Sequence, residues 1–279
     1  MSTLDLRLAA LDAEFAPLPG VLVAFSGGVD SGVVLAAAVR GLGADRVVAA
    51  TAVSPSLPAA ERAGAADFAA SLGVRHEQPR TDELSREGYR MNAGDRCAFC
   101  KAELVDVLTP LAARLGIADV VTGTNADDLR AGFRPGIRAA AERGAWAPLA
   151  RAGMTKDDVR AAARRWGLGL ADKPAAACLA SRIAYGVPVS AEGLARVEAA
   201  EAALRAALTA AGLAARDLRV RDLGADVARV EIDSALVGEL TALPDLLAAI
   251  RGYDRVEIDP RGFRSGSMNE LLPDPVRYR

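Results

Sequence analysis

The sequence is poor in aromatic residues, histidine and cysteine, and these scarcities limit the core and the metal sites that it can build. Aromatic side chains make up 4% of the 279 residues while alanine is abundant, so we expect a core of small aliphatic side chains. The single histidine, His76, lies in a predicted strand, where a core or surface role is more common than metal ligation. The three cysteines are a close pair, Cys97 and Cys100, and a distant third, Cys178.

The sequence also lacks a strong net charge and any long apolar run. Its 34 basic and 36 acidic residues leave a net charge of −2, which does not favour a nucleic-acid partner. No apolar stretch approaches the roughly 20 residues that cross a bilayer, and the N-terminal segment lacks the layout of a signal peptide. We therefore expect a cytoplasmic protein without a membrane partner. Because cytoplasmic thiols stay reduced, the C-x-x-C pair indicates a metal or redox site rather than a structural disulfide.

Strand-like and helix-like segments alternate over the first two thirds of the chain. Short runs predict strands at residues 21–25, 46–53, 74–78 and 118–123, of which those at 21–25 and 46–53 are expected to be buried. Helical segments separate them: one closed by Gly41, one starting at Pro58, and one capped by Thr155 with Asp158 three residues later. A further helix begins at Lys101. Strands that alternate with helices predict an α/β fold with a doubly wound, mostly parallel sheet.

The pattern changes after Cys178. A long helical segment at residues 190–212 precedes two alternating strands at 217–224 and 227–233, a helical segment at 244–252 and a last strand at 255–259. This order predicts a smaller C-terminal α+β domain. We place the boundary near Pro188, with a first domain of residues 1–187 that carries the cysteines and a second domain of residues 188–279.

A glycine pair follows the first predicted strand in "AFSGGVDS", residues 24–31. In an open α/β sheet, ligands bind at the carboxyl ends of strands, where the next helix presents free N–H groups and its dipole to an anion. Glycine lets the backbone approach a phosphate closely, the serines add hydroxyl donors, and Asp30 implies a bridging Mg²⁺. The candidate nucleotide-binding residues of this stretch are Ala24, Ser26, Gly27, Gly28, Val29, Asp30 and Ser31.

A second polar stretch, "TGTNADD" at residues 122–128, follows the fourth predicted strand. Asn and Asp are favoured at helix N-caps, which is the simpler explanation of this stretch taken alone. Beside the first motif, we expect a nucleotide or Mg²⁺ role for Gly123, Asn125 and at least one of Asp127 and Asp128, with Asp128 our choice. The sequence has neither a Walker loop nor a complete dinucleotide fingerprint.

The S-G-G-x-D-S pattern resembles the PP-loop of the ATP pyrophosphatase superfamily. The resemblance implies an adenine nucleotide alpha hydrolase-like fold, cleavage of ATP between the α- and β-phosphates, and adenylylation of a substrate with Asp30 in the catalytic site. AMP is a good leaving group, so the next attacking atom decides the enzyme. Nitrogen would give a synthetase of the NAD or GMP kind and sulfur a thiolase; the cysteines favour sulfur.

Three cysteine thiolates suit a [4Fe–4S] cluster with one iron left without a protein ligand, which could hold and deliver an extra sulfide. Cys97 and Cys100 could both reach one metal if C-x-x-C forms a tight turn, and Cys178 could return over the same cleft. Zinc held by the three cysteines and His76 is one alternative. Three unrelated thiols are another.

The segments "ACLASRIAYG" around Cys178 and "GFRSGSMNE" at residues 262–270 narrow the resemblance. With the PP-loop, they are similar to the LarE family of ATP-dependent sulfur transferases, which build the nickel-pincer nucleotide. The implied substrate is pyridinium-3,5-biscarboxylate mononucleotide, whose carboxylates become thiocarboxylates, and a homo-oligomer is implied. In one branch of the family the cysteine matching Cys178 gives up its own sulfur. Members with three cysteines resemble cluster-dependent enzymes, so we expect Cys97, Cys100 and Cys178 to be catalytic cluster ligands, supplied by a sulfide donor.

Arginines in the second domain predict a site for the phosphate of the substrate. Arg219 and Arg221 lie two apart in a strand and therefore on the same side, and Arg264 follows the last strand. Forked guanidinium groups suit phosphate, and equivalent arginines form a phosphate site in LarE-like proteins. We expect Ser181 and Arg182, which follow Cys178, to line the same cleft and contact the substrate.

Other interpretations stay open. Glu231 alternates with Arg229 and Asp233 on one strand face, which predicts a solvated row of charges and leaves a metal site as the alternative. A tRNA thiolase can also pair a PP-loop with three cysteines, although it would need a broad basic surface. An amidotransferase-like synthetase would leave the cysteines unexplained. A non-catalytic nucleotide sensor or iron–sulfur scaffold would have to bind ATP without cleaving it.

Overall fold

The computed structural model describes residues 2–130, 135–174 and 177–272. The chain forms two compact units. The first holds the described residues of Met1–Glu83 and Cys97–Ala176, and the second those of Leu84–Arg96 and Ala177–Arg277. The division at 176/177 precedes the predicted boundary at 187/188, and residues 84–96 join the second unit, which the sequence pattern did not indicate.

The first unit is built on a four-stranded parallel sheet, which confirms the predicted α/β class. Its strands are β1 Val21–Ala24, β2 Val47–Ala50, β3 Arg75–Glu77 and β4 Asp119–Val121. They lie in the order β3-β2-β1-β4, and every neighbouring pair is parallel. The order reverses between β1 and β4, and such a switch point opens a crevice at the carboxyl ends of the two strands.

Helices of the first unit cover both faces of this sheet. Over the described residues of both units, the α-helices are α1 Thr3–Phe15, α2 Val29–Leu42, α3 Ala59–Ser71, α4 Glu87–Arg90, α5 Arg96–Arg114, α6 Ala126–Arg130, α7 Pro135–Ala141, α8 Pro148–Arg151, α9 Lys156–Arg165, α10 Ala191–Ala210 and α11 Val237–Ala242, of which α4, α10 and α11 belong to the second unit. Successive residues of a strand face opposite sides. Accordingly, Val21 and Val23 of β1 pack in one core cluster with α1, α2 and α9, whereas Leu22 packs in a second cluster with α5.

Three predicted helix ends can be compared directly with the structure. The capping box of α9 is confirmed, because the Thr155 side chain accepts from the Asp158 N–H and Asp158 accepts from the N–H of Thr155. The expected stop of α2 at Gly41 is wrong: the helix continues to Leu42, and Gly43 takes the positive φ of 86°. The α5 helix starts at Arg96, before the predicted Lys101, and so includes the C-x-x-C pair.

The second unit contains a three-stranded mixed sheet. Its strands are β5 Leu218–Asp222, β6 Val227–Ile232 and β7 Arg255–Ile258, with β5 and β6 antiparallel and β6 and β7 parallel. Leu204 and Leu208 of α10 pack against this sheet, which forms the smaller α+β fold expected from the sequence. The predicted helical segment at 244–252 is a 3₁₀ helix, Pro244–Ala249.

Residues 84–96 are held in the second unit by buried polar contacts. The Asn92 side chain is fully buried, and its Nδ2 donates to the carbonyl oxygens of Ala184 and Val187, each at 2.8 Å. Arg96 Nη1 donates to the Ala180 carbonyl at 2.9 Å. Because a buried amide must find acceptors, these contacts hold residues 84–96 in the second unit. No helix within the described ranges is long and apolar enough to cross a membrane.

Candidate functional site

The glycine-rich loop between β1 and α2 folds around the start of the helix. Ser31 Oγ accepts from the Ser26 N–H at 3.2 Å, lies 3.1 Å from Ser26 Oγ, and donates to the Gly28 carbonyl at 3.1 Å. Gly27 has a φ of 74°, which L side chains rarely adopt, so this turn requires glycine. The loop brings the start of α2, with its free N–H groups, to the carboxyl end of β1, where an anion can reach them.

The second polar stretch packs directly against this loop. A Cβ on Gly123 would lie 2.6 Å from the Ser31 backbone nitrogen and 2.9 Å from its Cα, so only glycine fits. Asn125 Oδ1 accepts from the N–H groups of Asp127 and Asp128, at 2.9 and 3.1 Å, as an N-cap of α6. The second polar stretch therefore does two things: it provides the N-cap of α6, and it packs beside the glycine-rich loop.

Asp30 is held by two donors that are distant in sequence. Its Oδ1 accepts from Asn125 Nδ2 at 3.0 Å, and its Oδ2 forms an ion pair with Lys156 Nζ. The backbone N–H of Lys156 donates in turn to Asp127 Oδ2 at 2.8 Å. In this arrangement the charge of Asp30 is balanced by the ammonium group of Lys156. The Mg²⁺ that the sequence indicated beside Asp30 stays a prediction.

Lys173 supports the loop from its other side and was not identified from the sequence. Its Nζ donates to the Gly27 carbonyl at 2.9 Å and to Glu61 Oε2 of α3 at 2.6 Å. The side chains of Lys173 and Glu61 are both about one fifth exposed, so the pair is partly shielded from water. The lysine fixes the carbonyl side of the glycine turn and adds positive charge beside it.

A cavity of about 370 Å³ opens over this loop. Of the predicted nucleotide-binding residues, it is lined by Ala24, Ser26, Gly28, Asp30, Ser31, Gly123 and Asp128. Val29 instead packs in the core, and Asn125 is buried and acts through Asp30. Lys101 of α5 also lines the cavity, as do Thr51 and Thr122. A pocket at the switch point of a parallel sheet, with hydroxyl groups and a lysine among mostly apolar lining residues, suits a nucleotide.

The C-x-x-C pair lies in a helix rather than in the predicted tight turn. Cys97 and Cys100 are in the first helical turn of α5, three residues apart and therefore on one face. Cys97 is exposed and Cys100 half-buried. α7 approaches this turn closely, because a Cβ on Gly136 would lie 2.9 Å from the Cys97 carbonyl oxygen.

Cys178 lies in the second unit, exposed, at the N-terminus of the 3₁₀ turn Leu179–Arg182. Among the described residues, no three His, Cys, Asp or Glu side chains are grouped so that they could hold a metal. His76, the fourth ligand of the zinc alternative, has its Nε2 2.8 Å from Thr51 Oγ1. Burial lowers the pKa of His76 below its usual 6.5. The metal site predicted from the cysteines stays a prediction.

Glu231 is not part of a solvated row of charges; that prediction is wrong. Its side chain is 2% exposed and pairs with Arg221 through Nη2 at 2.6 Å and Nε at 3.0 Å. Ser267 Oγ donates to the other Glu231 oxygen at 2.7 Å, and Arg221 Nη1 donates to the Ser181 carbonyl at 3.1 Å. Arg229 pairs with Glu257 instead. The charge of Arg221 is therefore already balanced inside the second unit.

The other predicted phosphate-binding residues differ in their surroundings. Arg264 pairs with Glu270 and Asp259. Arg219 is buried, and its guanidinium lies 5.2 Å from the centre of the Phe263 ring. Burial, helped by the positive charges of Arg182 and Arg221, lowers the pKa of Arg219. The negative charge of Glu201 acts in the opposite direction, and Arg219 Nη1 donates to the Leu218 carbonyl at 2.7 Å.

Ser181 and Arg182 contact the backbone around Cys178. Ser181 Oγ donates to the Cys178 carbonyl at 2.7 Å. Arg182 Nη1 donates to the carbonyls of Ala177 and Cys178, at 2.6 and 3.1 Å, and the guanidinium is held by Glu201 of α10. In the structure these two side chains contact the backbone around Cys178, and their predicted contact with the substrate stays a prediction.

The sheet order, the glycine loop at its switch point and the cavity above it define an α/β protein with a PP-loop-like fold. No family model matches the chain. It is 35% identical over 275 residues to the pyridinium-3,5-bisthiocarboxylic acid mononucleotide synthase of Lactiplantibacillus plantarum, an alignment that covers 98% of this chain and 97% of that protein. The chain therefore belongs to the LarE family.

Two further relatives have no assigned activity. The chain is 40% identical over 274 residues to an uncharacterized protein of Synechocystis sp., covering 96% of this chain and 99% of the relative. It is 29% identical over 176 residues to an uncharacterized protein of Methanocaldococcus jannaschii, covering 62% and 66%. The Lactiplantibacillus and Synechocystis relatives match along nearly their whole length, so both units of the chain have counterparts in them.

Proposed function

We propose that this chain catalyses ATP-dependent sulfur insertion, converting the carboxylates of pyridinium-3,5-biscarboxylate mononucleotide to thiocarboxylates. The observation that carries the proposal is the 35% identity, over 98% of the chain, to a protein named as the synthase of the bisthiocarboxylic acid. The PP-loop-like cavity supports it, because a carboxylate is a poor electrophile until ATP converts its oxygen into a good leaving group.

In the proposed first step, the loop between β1 and α2 binds the phosphates of ATP. The N–H groups at the start of α2 offset negative charge, and Ser26 and Ser31 supply hydroxyl groups at the cavity wall. Lys101, which also lines the cavity, would add a positive charge near the phosphates. AMP would join the substrate carboxylate and pyrophosphate would leave.

Mg²⁺ would enter this site with ATP. Both oxygens of Asp30 accept hydrogen bonds, from Asn125 and Lys156. Among the described residues, Asp128 also lines the cavity, and its Oδ2 accepts from the Asn125 N–H at 3.2 Å. Because Mg²⁺ commonly binds one or two carboxylates together with substrate phosphates, Asp128 fits that role. When bound, the ion would neutralise part of the phosphate charge.

For the sulfur source we keep the prediction of a [4Fe–4S] cluster on Cys97, Cys100 and Cys178. It rests on the number and spacing of the cysteines, because the described residues do not bring three such side chains together. The alternative is that Cys178 gives up its own sulfur, and the exposure of its side chain is compatible with that route. A separate sulfide donor belongs only to the cluster route.

For the substrate phosphate we keep the prediction of Arg219, Arg221 and Arg264 in the second unit, because forked guanidinium groups suit phosphate. The side chain of Arg264 is about one third exposed, so an anion can reach it. Arg219 and Arg221 are buried, and Arg221 pairs with Glu231, so a phosphate would compete with that carboxylate.

The direct test measures pyrophosphate and AMP with and without the pyridinium substrate. We expect both products only when the substrate is present, together with a thiocarboxylate product detected by mass spectrometry. Asp30→Ala should abolish AMP formation, whereas Asp67→Ala, which removes an exposed carboxylate from α3, should not. Pyrophosphate formed only with added tRNA would favour a tRNA thiolase, and ATP binding without any pyrophosphate would contradict an adenylylating enzyme.

A second experiment separates the two sulfur sources. Anaerobically purified protein is assayed for iron and sulfide, and Cys178 is examined by mass spectrometry after turnover. Bound iron, with multiple turnovers that Cys97→Ala prevents, would support the cluster. Iron-free protein after reconstitution, with Cys178 losing its sulfur and Cys97→Ala unaffected, would support the sacrificial route.

A further inference from the structure

Arg182 is a buried arginine with almost no donor left for a ligand. Its side chain is 5% exposed. Nε and Nη2 donate to the two oxygens of Glu201 at 2.8 and 3.1 Å, and Nη1 donates to the carbonyls of Ala177 and Cys178 and to Ser181 Oγ. Of the five N–H groups of an arginine, four are used inside the second unit.

The Cys178 carbonyl accepts one of these hydrogen bonds from Arg182 and two more from Ser181. The Cys178 carbonyl accepts from Ser181 N at 3.0 Å, from Ser181 Oγ at 2.7 Å and from Arg182 Nη1 at 3.1 Å. The thiol itself is exposed. A short turn with an exposed side chain would ordinarily be free to adopt several conformations, so three donors on one carbonyl restrict it strongly.

Glu201 completes the arrangement from α10. One oxygen accepts from both Arg182 Nε and the Val220 N–H of β5, the latter at 3.1 Å, and its side chain is 16% exposed. A buried guanidinium is costly without a counter-charge, so the carboxylate determines where Arg182 can lie. Helix, strand and cysteine turn are thereby joined through one ion pair.

We propose that Glu201 and Arg182 are positioning residues that fix the backbone at Cys178 and so direct its thiol. The inference rests on the proposed function, in which Cys178 takes part in sulfur transfer by either route. It assigns Arg182 to the protein's own cysteine turn, in place of direct substrate contact. Glu201, which the sequence did not single out, acts through Arg182.

The test is hydrogen exchange of the intact protein, read at peptides that cover residues 177–183. In Glu201→Gln and Arg182→Lys, we expect exchange of the Ser181 amide to become faster by roughly tenfold or more, since tenfold corresponds to about 1.4 kcal/mol. Lysine keeps the positive charge but cannot make the two parallel hydrogen bonds of the guanidinium group to Glu201. We therefore expect Arg182→Lys to show the faster exchange as well. The matched control is Arg196→Lys, on the same helix, whose partners are Asp222 and Asp226.

A merely structural role would give a different pattern. In that case exchange would rise equally across β5, β6 and β7, and this result would overturn the proposal, as would unchanged exchange at 177–183. In thiocarboxylate formation, both variants should lower kcat and leave the KM for ATP unchanged. If the wild-type protein makes no thiocarboxylate while exchange changes as expected, the proposed function fails and the positioning role stands.

Discussion

Replacing Gly123 by alanine tests whether the two polar stretches form one nucleotide site. Gly123 follows β4, and an added Cβ would lie 2.6 Å from Ser31 N, 2.9 Å from Ser31 Cα and 3.1 Å from the carbonyl carbon of Asp30. All three atoms belong to the backbone at the start of α2, so no side chain can rotate away. The strand end and the helix start must separate by several tenths of an ångström.

The size of the effect follows from that geometry. Overpacking at a closely packed position costs typically 1–3 kcal/mol, so we expect Gly123→Ala to lower the free energy of unfolding by about that amount. ATP affinity should fall more than this loss explains, because the displaced N–H groups are those that face the phosphates. We expect a decrease of roughly tenfold or more, equivalent to about 1.4 kcal/mol of binding free energy.

The assay combines calorimetric ATP titration with urea denaturation. Gly64→Ala is the matched control, since Gly64 lies in α3 and a Cβ there meets nothing within 4 Å. Such a change in a helix should stabilise the fold by about 0.4–1 kcal/mol and leave ATP binding unchanged. Wild-type ATP affinity in a folded Gly123→Ala protein would refute the assignment of the cavity to nucleotide.

Three further changes have defined outcomes. Lys173→Met removes the donor to the Gly27 carbonyl, so ATP affinity should fall in the same titration while Lys173→Arg keeps part of it; equal affinities would contradict the anchoring role. Glu231→Leu leaves Arg221 buried without its counter-charge and should lower the free energy of unfolding by about 3–5 kcal/mol, measured in urea; a smaller loss than for Arg229→Met would contradict this. Burial lowers the pKa of His76 below 6.5, so below that pH the unfolded chain binds a proton that the folded protein resists, and stability should decrease as pH falls. His76→Gln should remove that part of the decrease, seen in urea midpoints at neutral and acidic pH.

The strands and the nucleotide loop could be predicted because their signals are local. The valine runs of β1, β2 and β4 are continuous in sequence, and "SGGVDS" directly follows the first of them. The place of Gly123 and Asp128 beside the loop follows from one rule, that parallel strands bring their carboxyl ends to the same edge. Periodicity and a known motif were therefore sufficient for this part of the molecule.

The partners of Asp30 and Gly27 could not be predicted, because they come from distant parts of the chain. Lys156 is 126 residues from Asp30, and Lys173 is 146 residues from Gly27. Neither lysine belongs to a motif, and only the packing of α9 and the segment after it brings them to the loop. The sequence alone does not distinguish a lysine that holds a loop in place from a lysine on the surface.

The Glu231 prediction failed for a different reason. Alternation shows correctly that residues two apart share a strand face, but it cannot show what covers that face. All five residues of β5 are buried, including both arginines. The charged face of the small sheet is covered by the turn at Leu179–Arg182 and by Ser267. Neither segment has an apolar pattern from which its packing against the sheet could be predicted.

The detour of residues 84–96 determines how this protein can be dissected. A fragment ending at residue 176 would keep Asn92 and Arg96. It would lose the carbonyl groups of Ala180, Ala184 and Val187 that accept their hydrogen bonds. A fragment starting at residue 177 would leave those carbonyls without their donors. No single cut yields an intact half, so truncated versions will need residues 84–96 grafted onto the C-terminal piece through a linker.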